Sequence, residues 1–170
     1  MILLQVVMLL SLAFICYQDL VYRAVYWLCF PVLTAVMFML KYNLVGFQET
    51  VTNATYGFTF LMVQLLILWG YFSIKNRKVI SLTNDYLGWG DVLFLAAIPF
   101  YLSPVNYILF YVISLIAVLL YTIVVASLKG KANNPHIPLA GLQAALLVVV
   151  MLVDFVSPKF MLYDDSWLYF

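Results

Sequence analysis

The chain has 170 residues, of which 67% are hydrophobic and 9% charged, with eight Lys and Arg against seven Asp and Glu. That length suits one domain, and soluble domains carry about a quarter charged residues, so a chain this apolar needs the bilayer as part of its solvent. A net charge of +1 excludes a strongly basic nucleic-acid-binding face, and there is no acidic tail.

The first apolar segment, Ile2–Tyr17, has no basic residue ahead of it. Phe14-Ile15-Cys16 lacks the small residues of a cleavage site, so the segment reads as a retained membrane span rather than a signal peptide. Val25–Leu40 is the second. Both fall short of the ~20 residues of a full crossing, which draws flanking residues such as Gln18 and Ala24 into the membrane. A polar connector, Asn43–Asn53 with Gly46, leads into Thr55–Phe72, and Asn53-Ala54-Thr55 reads as the polar start of that third span. Ser73–Asp85 is the longest polar stretch. The fourth segment, Val92–Tyr101 with the glycines before it, is short and interrupted by Gly88, Gly90 and Pro99. Broken or re-entrant backbone of that kind is tolerated only inside a protein bundle or beside water. Ser103-Pro104 makes a tight link to Val105–Leu128, and the basic turn Lys129–Pro135 leads to Ile137–Val156. The remaining residues mix Pro158, Asp164 and Asp165 with aromatics, a composition suited to the membrane interface, where Trp167 and Tyr169 are at home.

The expected fold is therefore all-α: a polytopic membrane helical bundle of about six transmembrane helices, with room for a break near Gly88–Asp91. Residues 1–156 form the membrane domain and 157–170 a short interfacial tail. No internal repeat is visible. Assigning connectors to alternate faces puts Arg23, Lys75, Arg77, Lys78, Lys129 and Lys131 on one side and only Lys41 and Lys159 on the other. The positive-inside bias makes the first face cytoplasmic and turns both termini outward. Cys16 and Cys29 sit in apolar sequence without CxxC spacing and read as small buried hydrophobes. One His and two distant Cys draw no zinc site, and neither a metal nor a cofactor is expected.

Chemistry concentrates in two carboxylates. Asp19 follows the first apolar run and Asp91 precedes the fourth, so both fall at the cytoplasmic edge, where helix packing can bring them together. An ionisable group at membrane depth is costly and marks a functional site by default. Two carboxylates held close cannot both ionise cheaply, so one keeps a proton. The ionised partner then takes a proton from a water attacking a peptide carbonyl, while the protonated one donates to the carbonyl oxygen and helps the amine leave. Gly88 and Gly90 flank Trp89 with bare backbone, free to approach a substrate strand or to adopt positive φ. The structural alternatives are that Asp19 pairs with Arg23, four positions on, and that Asp91 caps the fourth helix. Asp85 follows Asn84 in a polar loop and reads as solvated; Asp154 lies near the outer end of the last span, away from the others.

At these residues the chain resembles the prepilin peptidase family, membrane aspartic proteases that process type IV prepilins and archaeal preflagellins. Asp19 with Arg23 matches the first catalytic acid and its following Arg. Gly88-Trp89-Gly90-Asp91 matches the family's Gly-x-Gly-Asp, and Ile137-Pro138-Leu139-Ala140-Gly141 approximates a late motif before the last span. The resemblance covers about residues 5–155. It implies a catalytic pair of Asp19 and Asp91, with Gly88, Gly90, Arg23 and Pro138 shaping the site or binding substrate. The implied partner is a prepilin-like protein with a short basic leader and a hydrophobic helix, cut at the cytoplasmic face of a prokaryotic inner membrane; membrane lipid is the other partner. Tyr26-Trp27 stands where the family has Pro-Asn, and Val92-Leu93 follows Asp91 without the usual Lys. The chain also lacks the paired CxxC domain linked to N-methylation, so the resemblance implies proteolysis without methyl transfer. Gly-x-Gly-Asp occurs in presenilin-type proteases too, but there a Tyr-Asp pair carries the first acid, and here Gln18 separates Tyr17 from Asp19. The competing readings are a non-catalytic scaffold of a pilus or secretion assembly and a carboxylate-coupled transporter.

Overall fold

A computed structural model describes residues 1–78, 87–129, 138–156 and 161–165. The chain is an all-α, polytopic membrane protein. Its helices are α1 (Ile2–Tyr22), α2 (Cys29–Val45), α3 (Phe47–Asn76), α4 (Trp89–Ala97), α5 (Pro104–Lys129) and α6 (Leu139–Val156), with a 3-10 turn over Ile98–Phe100. Four of them, α1, α3, α5 and α6, are long and apolar enough to cross a bilayer, while Cys29–Val45 and Trp89–Phe100 are shorter. The outward faces carry large apolar side chains such as Leu66, Leu119 and Val149, each at least 60% exposed, as a lipid-facing surface requires.

Several boundaries differ from the expected ones. The first helix continues to Tyr22 and carries Gln18 and Asp19 within it; it stops where Arg23 takes the left-handed conformation, φ 52°. The second starts at Cys29 rather than Val25, so Ala24 belongs to the turn. Pro31 is its third residue, a position where a missing N–H costs nothing. The polar connector expected over Asn43–Asn53 is helical apart from Gly46, whose φ of 86° makes the turn between α2 and α3. Its polar side chains satisfy themselves within the helix: Asn43 Nδ2 donates to the Met39 carbonyl (2.7 Å), Thr50 Oγ1 to Gly46 (2.7 Å) and Thr52 Oγ1 to Gln48 (2.8 Å). Asp85, Lys131, Ile137, Lys159, Trp167 and Tyr169 lie outside the described residues.

Helices α1, α2, α3, α5 and α6 pack side by side in that order, and α6 returns to α1 through the broadest contact in the molecule. The short α4 stands inside this ring against α2, α3 and α6. Its interior position explains its composition: Phe94, Leu95, Ala97, Ile98 and Tyr101 are all buried. Pro99 cannot continue an α-helix, and the chain tightens there into the 3-10 turn. At about 1.5 Å per residue, α4 with its 3-10 turn covers roughly two thirds of a ~30 Å hydrocarbon core. The turn seats on α3 at Gly57, where an added Cβ would stand 2.6 Å from Pro99 Cβ.

Because α4 is short, polar groups fill the end of the bundle beyond it. Lys41 is fully buried and donates from Nζ to the Leu102 carbonyl at 3.0 Å. Residues 161–165 close over the link to α5. Ser103 N–H donates to the Leu162 carbonyl (2.9 Å), Ser103 Oγ donates to Asp165, and Asn106 Nδ2 reaches the carbonyls of Met161, Leu162 and Asp164. Asp154 accepts from Tyr101 Oη (2.7 Å) and from Leu162 N–H (2.9 Å). Tyr101 is 1% exposed, so its hydroxyl depends on Asp154 as its acceptor. The carboxylates of Glu49, Asp165 and Asp164 lie near enough to act on the Lys41 charge.

Lys41→Met would orphan the Leu102 carbonyl and leave these acids without their buried cation. The expected loss is about 1–3 kcal/mol of stability, read as a lower unfolding midpoint in detergent together with faster proteolysis around residues 161–165. Unchanged values for both would remove Lys41 from this role.

Candidate active site

Asp19 sits in the last turn of α1 and is 8% exposed. Asp91 is the third residue of α4 and half-buried. Both point at the start of α6. Gly141 N–H donates to Asp19 Oδ2 at 2.5 Å, and Ala140 N–H donates to Asp91 Oδ1 at 2.8 Å. The first amides of a helix have no intrahelical acceptor, and the positive end of the helix dipole favours anions there. Here two other helices supply the caps. The bonds go to neighbouring amides, so both carboxylates meet at one helix start.

Asp91 has a second attachment. Gly88 is the N-cap of α4, its N–H donates to Asp91 Oδ2 (3.2 Å), and Asp91 N–H returns a bond to the Gly88 carbonyl (3.1 Å). Both Asp91 oxygens therefore accept backbone N–H groups. Asp91 thus caps its helix, as the capping alternative expects. Neither glycine of the motif uses positive φ, correcting that part of the expectation: Gly88 is extended at φ −66°, and Gly90 lies within α4. An added Cβ at Gly88 would stand 3.1 Å from Asp91 Oδ2, while one at Gly90 would meet Phe30 at an ordinary 3.7 Å.

Arg23 touches Asp19 through the backbone, its N–H donating to the Asp19 carbonyl at 3.0 Å, and the residue is exposed. Pro138 immediately precedes α6, and its carbonyl accepts from Leu142 N–H (3.2 Å). Gln18 ties down the turn beyond Asp19 by accepting from Tyr26 N–H at 3.0 Å. Asp154 lies at the other end of α6, consistent with its separation from the pair. Among the described residues no three His, Cys, Asp or Glu side chains gather as a metal cluster.

An apolar groove of about 560 Å³ runs beside α4, walled by Phe30 and Phe38 of α2, Phe58 of α3, and Leu93, Ala96 and Phe100. Neither acid lines the groove; its wall residue Phe30 lies 3.7 Å from where a Cβ on Gly90 would stand. Comparisons of the chain with protein-family models, with curated proteins and with solved structures find no match.

The amides of Ala140 and Gly141 are the members of this arrangement that side-chain chemistry does not announce. The signal available for them is indirect: Pro138 followed by small residues before a long apolar run marks a helix start, and a helix start carries unpaired donors.

Each carboxylate thus serves α6 as an acceptor whatever else it does. Asp19→Asn, which keeps a carbonyl oxygen, should leave the unfolding midpoint close to that of the parent. Asp19→Leu should lower stability by about 1–3 kcal/mol through an orphaned Gly141 N–H. Equal midpoints for the Asn and Leu variants would show that the bond contributes nothing to the fold.

Proposed function

We propose that the chain is a membrane aspartic endopeptidase of the prepilin peptidase type, with Asp19 and Asp91 as its catalytic pair. The observation that carries this reading is the seating of both carboxylates on adjacent amides of one helix start. That arrangement suits two acids acting on one water. The ionised partner accepts a proton as the water oxygen bonds to the peptide carbonyl carbon; the protonated partner donates to the carbonyl oxygen. Collapse of the gem-diol adduct breaks the C–N bond: the acid that took the water proton passes it to the leaving amine, and a hydroxyl of the adduct returns its proton to the other acid as the new carboxyl group forms. Both acids return to their starting forms as a pair.

The groove beside α4 supports a substrate that arrives within the membrane. Its walls are apolar, as a hydrophobic helix would need, and its Phe30 wall lies beside Gly90, the residue before Asp91. On this reading the substrate is a prepilin-like precursor with a basic leader and a hydrophobic helix. The chain cuts between them without methyl transfer.

Orientation follows from charge. Arg23, Lys75, Arg77 and Lys78 cluster at the acid-bearing end, and the positive-inside bias assigns that end to the cytoplasm of a prokaryotic inner membrane. With Cys16 and Cys29 replaced by Ala, a cysteine at Lys78 should react with a membrane-impermeant maleimide only after permeabilisation. One at Thr52 should react in intact cells. The reverse pattern would place the acids outside and remove the proposed substrate.

The direct test is co-expression with a candidate prepilin, followed by mass analysis of its mature terminus. Asp19→Asn and Asp91→Asn should each reduce cleavage by at least about 100-fold, the scale of general acid–base catalysis, while the protein accumulates in the membrane as before. Full cleavage by either variant removes that residue from the pair. A wild-type chain that accumulates and cleaves no prepilin favours the scaffold.

A further inference from the structure

We infer that Gly141 is a positioning residue for the carboxylate pair, its lack of a side chain setting the distance of Asp19 from Asp91. As a role in peptide hydrolysis this rests on the peptidase reading; as a statement about the acids it stands alone.

Gly141 is buried in the first turn of α6 with no positive φ, so its conformation alone would admit any residue. A helical glycine costs about 1 kcal/mol relative to alanine, and the reason to keep one is found in what surrounds it. A Cβ at 141 would stand 2.9 Å from Asp19 Cβ, 3.0 Å from Asp19 Oδ2 and 3.3 Å from the Cys16 carbonyl oxygen. Cys16 and Asp19 are three residues apart on α1 and share one helical face. The obstacle is therefore the backbone and Cβ of α1, not the end of a flexible side chain. A methyl group here must push α1 off α6 or drive Asp19 from the Gly141 amide.

Asp91 does not share this obstacle. It is bonded to Ala140 N–H and to Gly88 N–H, and no atom of it lies within 4 Å of a Cβ at 141 among the three nearest neighbours. Substitution at 141 thus moves one acid and leaves the other on its anchors. The spacing of the pair changes although no reacting group is removed. Displacement of a reacting group by about 1 Å is worth about 100-fold in rate.

The test compares Gly141→Ala with Gly70→Ala, a control on α3 where an added Cβ meets nothing within 4 Å. Two readouts are needed. The first is kcat and KM for prepilin cleavage in detergent; the second is the infrared carboxyl band that disappears in Asp19→Asn. Gly141→Ala should lower kcat by about 100-fold, keep KM within about 2-fold of the parent because the groove is untouched, and shift the Asp19 band. Gly70→Ala should match the parent in all three. Parental kcat with an unshifted band overturns the inference, and so does a fall in kcat with an unshifted band. Should Gly141→Ala fail to accumulate, Asp19→Gly in the same chain removes both Asp19 contacts. Recovery of accumulation then supports the clash, whereas equal loss in both backgrounds overturns it. If the parent chain cleaves nothing, the peptidase reading fails by itself, and the infrared band still decides whether Gly141 positions Asp19.

Discussion

A helix that starts inside a membrane protein brings amides that neither water nor its own carbonyls can satisfy, and in hydrocarbon each such group costs several kcal/mol. At the start of α6, two of these amides are met by carboxylates from α1 and α4. The need is mutual, since an ionised acid in the same place requires donors as badly as the amides require acceptors. A hydrogen bond to a charged group contributes about 1.5–3 kcal/mol, and the helix dipole adds to it. Three helices converge at this point because each lacks something the others hold. The acids that would do chemistry are thus also the pieces that assemble the site.

The rest of the bundle maintains that convergence. A helix as short as α4 has no means of spanning the core unaided, and the ring of five longer helices shelters it. Its near end is fixed by Gly88 and Asp91, its far end by Lys41, Ser103 and Asn106. The two ends differ in character. One holds two acids on backbone amides beside an apolar groove; the other is dense with side-chain hydrogen bonds and is closed over by residues 161–165. Polar groups bond mainly side chain to backbone at one end, and at the other two carboxylates cap a helix start.

Much of this was legible in the residues and some was not, for definite reasons. The last two spans are the most strongly apolar long runs, and α5 and α6 match them within two residues at each end. Asp19 and Asp91 stood out because ionisable groups bordering apolar sequence are rare. Asn and Thr over residues 43–53 have the composition of a solvated loop, whereas the stretch forms the helical α2–α3 hairpin. In the fold their side chains bond to carbonyls a turn earlier and need no water. Lys41 was read only as a charge on a connector; its burial depends on Leu102 and on residues 161–165, partners far away in sequence. The Ala140 and Gly141 amides carry no side-chain signature at all. Gly88 and Gly90 were noticed for the right neighbourhood and in part for the wrong reason, since neither adopts positive φ.

Residues 161–165 hold the link into α5 through the Ser103 amide and the Asn106 side chain, and they make no bond to the Asp19 or Asp91 carboxylate. The two ends of the central helix are therefore secured by different stretches of chain. Loosening one end leaves the hydrogen bonds of the other in place, and the acids keep their amides when the opposite cap is disturbed.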